Sequence, residues 1–150
     1  MKKIWFQVLL FSSIMGLTAV NALAHCEIPC GIYDDQMRIA MISEHITTIE
    51  KSMKEIVKLE TTKPVNYNQL VRWIMNKENH ASQLQEIVTQ YFMTQRIKPD
   101  TQNYNKKLTL LHKMLIQAMK CKQTTDLTHA TAISALLKEF GGLYFGSKGN

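Results

Sequence analysis

A nine-residue stretch, His25-Cys26-Glu27-Ile28-Pro29-Cys30-Gly31-Ile32-Tyr33, gathers the chain's densest set of metal-ligating groups. Cys26 and Cys30 offer thiolates, and His25 offers an imidazole. Cleavage after Ala24 would add the α-amine of His25, a donor that no internal residue has. Pro29 fixes its own φ and pre-bends the chain, and Gly31 admits backbone angles closed to other residues. The segment can therefore curl round one ion. Two sulfurs with nitrogen donors suit zinc if tetrahedral, and Ni(II) or Cu(II) if planar. The α-amine, the Cys26 backbone nitrogen and the Cys26 sulfur are consecutive, so they would close fused chelate rings that favour a plane. That arrangement points to Ni(II) or Cu(II). Anionic sulfur and amide donors also stabilise a higher oxidation state, so a one-electron cycle becomes accessible.

The stretch begins where a leader would end. Lys2 and Lys3 precede an apolar run from Ile4 to Val20, and Ala22-Leu23-Ala24 is a small-residue cleavage site. This is the pattern of a secretory signal peptide over residues 1–24, too short in its apolar run for a membrane span. Export implies an oxidising compartment, and a periplasmic location is expected. Thiols kept reduced there need protection, which a bound metal gives. The leader carries two Lys and no acid, so its removal takes the formal charge from +6 to +4.

The elements that must position this hook are helices. A chain of 150 residues with 45 % hydrophobic content suits one globular domain, and six Gly and three Pro leave long stretches without breakers. Ile39, Ile42, Ile46, Ile49, Met53 and Ile56 recur at steps of three and four, which predicts a helix from about Asp34 to Leu59. Pro64 breaks it. A second helix is expected from about Asn66–Asn68 to Arg96, with Leu70, Ile74, Ala81, Leu84, Val88 and Tyr91 inward and Lys77 as a misfit. A third is expected over about Thr101–Lys122, capped by Asp100 or Thr101, with Leu108, Leu111, Leu115 and Ala118 inward. The fourth runs from about Asp126 to Phe140, with Ala130, Ile133, Leu137 and Phe140 inward. Gly141-Gly142 should stop it and leave an irregular tail. The fold class is all-α: an antiparallel four-helix bundle over residues 34–150, carrying an N-terminal hook at residues 25–33.

His-Cys-x-x-Pro-Cys-Gly-x-Tyr at a processed N-terminus resembles the nickel-containing superoxide dismutases. The resemblance rests on His25, Cys26, Pro29, Cys30, Gly31 and Tyr33, and the length and helical character of the remainder are similar in kind. It implies a nickel ion cycling between Ni(II) and Ni(III). Its ligands would be the His25 α-amine and imidazole, the Cys26 amide nitrogen and thiolate, and the Cys30 thiolate. Superoxide would be converted to O2 and H2O2, with Tyr33 over the open face and Pro29 and Glu27 shaping the approach. It also implies a homohexamer in which each hook packs against a neighbouring subunit. Beyond the hook, the family's acid on the first helix would align with Ala40, and Glu44 lies one turn further on. His80 is the candidate for the basic residue that supports the imidazole, and Tyr91 for a second tyrosine near the metal.

Other readings use the same residues. Cys26 and Cys30 could close a disulfide, and a thiol–disulfide protein is a third function class, although the chain lacks a C-x-x-C pair. An exported nickel- or copper-binding carrier would use the hook without turnover. Cys121 is expected as a buried inert thiol, the seven methionines left after leader removal mostly as core filler, and Trp73 and Phe92 as packing anchors. His45, His112 and His129 stand isolated on helices. Lys and Arg are dispersed among acids, so no nucleic-acid surface is expected, and no membrane contact after leader removal. A mild positive field would nonetheless attract an anion such as superoxide.

Overall fold

The isoleucine stripe organises the first helix as its spacing requires. In the computed structural model, which describes Trp5 and residues 31–146, α1 spans Asp35–Thr61. Asp34 caps it, its Oδ1 accepting the Met37 N–H at 2.9 Å. Ile42, Ile46, Ile49, Met53 and Ile56 are all buried, and Ile39 packs at the margin. Three further helices follow: α2 (Tyr67–Glu86), α3 (Tyr104–Gln123) and α4 (Leu127–Gly146). Helix α1 packs on α2 and α4, and α3 packs on α2 and α4, which makes a four-helix bundle round one core. There is no strand among the described residues, and no helix there is long and apolar enough to cross a membrane. The chain divides into two units, Met1–Cys30 and Gly31–Asn150. Of the first, only Trp5 is described. The expected leader at residues 1–24 and the hook residues His25, Cys26, Glu27, Pro29 and Cys30 lie outside the described residues.

The expected second helix divides in two. Helix α2 passes at Ile87 into a π-helix that runs to Arg96. Its wider turn is reinforced by side chains that bond five residues back: Thr94 Oγ1 donates to the Thr89 carbonyl at 2.8 Å, and Gln95 Nε2 to the Gln90 carbonyl at 2.9 Å. The wider turn lets the adjacent pairs Ile87–Val88 and Tyr91–Phe92 all reach the core. Nearer its start, α2 faces differently from the expectation. Ile74 is exposed, and Lys77, the misfit of the hydrophobic pattern, is buried. Its ammonium donates to the Cys121 carbonyl at 2.7 Å and to the Lys122 carbonyl, both at the C-terminal end of α3. A buried cation there satisfies carbonyls that have no helical partner and sits at the negative end of the helix dipole.

Helix α3 starts later than expected, at Tyr104. Thr101 does not cap it, because its hydroxyl accepts the Lys98 N–H at 3.0 Å and closes a turn instead. Its buried row runs through Leu110, Leu111, Met114, Ala118 and Cys121, with Leu108 and Leu115 at the margin. Of the two expected packing anchors, Phe92 is fully buried and Trp73 half-buried, with the Lys51 ammonium 5.8 Å from its ring centre.

The largest correction concerns α4, which continues through Gly141-Gly142 to Gly146. The apolar row Ala130, Ile133, Leu137, Phe140 extends by one more step to Tyr144, also buried. Phe140 and Tyr144 stack at 5.3 Å, and Phe92 meets both rings edge-on. Two glycines cost a helix about 1 kcal/mol each. Burial of one aromatic side chain contributes more than that, about 1.5–3 kcal/mol, with aromatic contacts in addition. Gly142 is exposed and helical, and a Cβ there would meet nothing within 4 Å. Gly142→Ala is expected to raise stability by about 0.5–1 kcal/mol in denaturant unfolding; an unchanged or lower midpoint would contradict the helical assignment.

Candidate functional site

Apart from Trp5, the described residues begin with the last three of the expected hook, Gly31, Ile32 and Tyr33, and Asp34 leads into α1. Gly31 adopts φ +77°, the left-handed conformation that glycine reaches without strain. Two residues later Tyr33, 41 % exposed, lays its ring against the bundle. The Arg96 guanidinium carbon is 4.2 Å from the Tyr33 ring centre. The Tyr91 ring meets Tyr33 edge-on at 5.9 Å and 71°. Of the candidates expected near the metal, the structure therefore brings Tyr33 and Tyr91 together.

What holds them is a carboxylate that the sequence reading missed. Asp35, in the first turn of α1, is buried. Its Oδ1 accepts the Tyr91 hydroxyl at 2.7 Å and Arg96 Nε at 2.8 Å. Its Oδ2 accepts Arg96 Nη2 at 2.9 Å and the Tyr144 hydroxyl at 3.0 Å. Burial pushes the Tyr91 phenol well above its usual range, and the Asp35 carboxylate adds to the shift, so Tyr91 stays protonated and donating. The hydrogen bonds to Asp35 likewise raise Arg96 and hold it as a cation. A second guanidinium, that of Arg38, lies 5.1 Å from the Tyr91 ring centre. The cluster joins the start of α1, the π-helix and the end of α4. Its signal in the sequence was the Asp34-Asp35 pair, of which one caps and one turns inward, and the three-four step that carries past the glycines to Tyr144.

His80 makes a different contact. Its Nδ1 lies 2.9 Å from Nδ1 of His45, across α1 and α2, so one imidazole donates and the other accepts. His45 is thus not isolated, and neither is His129, whose Nδ1 lies 2.9 Å from the Gln117 amide oxygen. Burial lowers the His45 pKa, neighbouring His80 lowers it further, and Glu44 opposes them. Glu44 itself is exposed, and Ala40 lines a groove with Ile39, Ser43 and Leu137. Among the described residues no three His, Cys, Asp or Glu side chains converge as a metal site. The third thiol, Cys121, is fully buried, and burial pushes it up to about 11, so it is protonated and inert.

A family model for nickel-containing superoxide dismutase matches residues 20–148, hook and bundle together. The chain belongs to that family. It is a superoxide dismutase, an oxidoreductase that acts on superoxide with nickel as cofactor. No curated protein and no solved structure matches it.

The His45–His80 contact of this dismutase carries a pH signature. A histidine whose pKa is lowered on folding binds fewer protons than it does in the unfolded chain. Stability is then full above about 6.5, the ordinary value, and is lost as pH falls below it. His45→Gln should flatten that decline. Thermal unfolding followed between pH 7.5 and 5 reads it; an equal slope in the variant would show that His45 does not carry it.

Proposed function

We propose that export removes residues 1–24 and that the freed N-terminus becomes the nickel site of this dismutase. The His25 α-amine and imidazole, the Cys26 amide nitrogen and thiolate, and the Cys30 thiolate hold the ion. The donor chemistry fits nickel: soft anionic sulfur with a consecutive amine and amide favours a planar ion that changes oxidation state by one electron. When bound, nickel supplies the couple through which one superoxide is oxidised to dioxygen and another, with two protons, is reduced to hydrogen peroxide. The observation that carries this reading is the hook's sequence, six matching positions from His25 to Tyr33, lying within the span matched by the family model.

The other residues bind, orient and exclude. Tyr33 is three residues past the last sulfur. With its ring pinned on the bundle, its hydroxyl orders water at the open face and limits approach to small species. Pro29 and the backbone at Glu27 shape the rim. His80, paired with His45, supports the His25 imidazole of a neighbouring copy. The helices pack antiparallel, and the exported, periplasmic protein works as a homohexamer with one nickel per subunit. A strip of exposed apolar residues on α2 supports self-association: Tyr67 at 71 %, Val71 at 53 % and Met75 at 58 % exposure. The net positive charge favours encounter with an anion.

Two variants test the ligand set. Cys26→Ser is expected to abolish nickel binding and turnover and to leave helical circular dichroism nearly intact. A mature protein with one extra residue before His25 should lose turnover, because the α-amine donor has moved. Full activity in the extended protein would overturn N-terminal ligation, and wild-type protein that holds nickel without accelerating superoxide decay would point to a carrier.

A further inference from the structure

The position of Tyr33 needs an explanation beyond its own short segment. Residues 31–34 have no helical backbone. Nothing in a short irregular segment fixes a tyrosine ring by itself, because each ordered residue costs conformational entropy. The contacts that fix it come from the far end of the second helical segment. Arg96 binds Asp35 side-on, through Nε to one carboxylate oxygen and Nη2 to the other. That two-pronged contact sets the plane of the guanidinium, which a single hydrogen bond would leave free to turn. The flat cation then lies 4.2 Å from the centre of the Tyr33 ring, while Tyr91, also held by Asp35, closes on the ring edge-on.

We propose that Arg96 is a positioning residue for Tyr33: fixed by Asp35, it clamps the ring and so sets where the hydroxyl stands. The inference rests on the reading of Tyr33 as the residue over the open face. Arg96 itself touches neither substrate nor metal in this scheme. It acts through the ring. Tyr33 is three residue steps from Cys30, a stretch that can span at most about 11 Å, so a fixed ring also limits how far the last sulfur-bearing residue can stray. The clamp needs both properties of arginine. A lysine in its place would keep the charge and lose the planar face and the fork.

The test begins with nickel-free protein, so that the clamp is read independently of the metal. Protein labelled with 3-fluorotyrosine gives a fluorine resonance for each of its five tyrosines, and Tyr33→Phe assigns the one from Tyr33. In Arg96→Met the Tyr33 resonance is expected to shift and narrow as the ring is released, with Tyr67 and Tyr104 unmoved. Arg96→Lys, which keeps a cation beside Asp35 and is the safer variant to fold, should release the ring in the same way. Superoxide turnover per bound nickel is then expected to fall about two- to ten-fold in either variant. Adding Tyr33→Phe to Arg96→Lys should cost no more than Tyr33→Phe alone, since both changes remove one function. An unmoved Tyr33 resonance in the folded variants overturns the clamp. A released ring with turnover per nickel unchanged overturns its part in the reaction. Additive losses in the double variant would also overturn it, by giving Arg96 a role apart from Tyr33. If Tyr33→Phe alone leaves turnover intact, the reading of Tyr33 has failed, and the fluorine result still decides whether Arg96 holds the ring.

Discussion

The Asp35 carboxylate is the constraint on which the rest of the molecule's working end depends. A buried carboxylate is costly unless its oxygens are hydrogen-bonded and its charge is met. Here Arg96 supplies the charge and three hydroxyl or guanidinium neighbours saturate both oxygens. The start of α1 adds the positive end of a helix dipole. Such a cluster is stable only when complete, because loss of one partner leaves the others facing an uncompensated charge. Three segments far apart in sequence are therefore held in one arrangement, beside the residues through which the chain enters its first helix.

The π-helix follows from that requirement. Tyr91 and Arg96 are five residues apart and bond the same oxygen. In an α-helix, at 3.6 residues per turn, positions five apart point about 140° away from one another. The five-residue hydrogen-bonding step of the π-helix swings Arg96 back over Tyr91 and admits Phe92 to the core beside it. Helix α4 answers the same demand. It runs through two glycines because Tyr144 then reaches Asp35 with its hydroxyl and stacks on Phe140 with its ring.

Much of this was legible in the residues, and what was not has a common cause. Periodicity placed α1 with its stripe of buried isoleucines and the inward row of α4, because burial of one face depends on local spacing, and proline chemistry placed the break at Pro64. Glycine at position 31 admits the left-handed angle that the chain adopts there, and Cys121 is the buried inert thiol expected of a cysteine with no partner in the sequence. The misses were pairings. Lys77 looked like an error until α3 supplied carbonyls for it, and His45 looked isolated until His80 faced it. Glycine pairs usually end helices, so local spacing assigns Tyr144 to an irregular tail. Nothing local tells that a carboxylate more than a hundred residues upstream will repay the cost of continuing.

The division between hook and bundle matches a division of labour in physical terms. Ligation chemistry can be written in a few consecutive residues, since chelation is a matter of which donors are adjacent. Precision cannot, because a short segment without helical backbone has too few contacts to fix a side chain against its own entropy. The bundle provides that precision from outside, through groups whose orientation is already fixed by packing and by a saturated carboxylate. Tyr33 stands at the junction, its backbone in the irregular segment and its ring on the rigid cluster. A chain that lost Asp35 would lose the fixed surface on which the Tyr33 ring rests, whatever donors stood upstream of it.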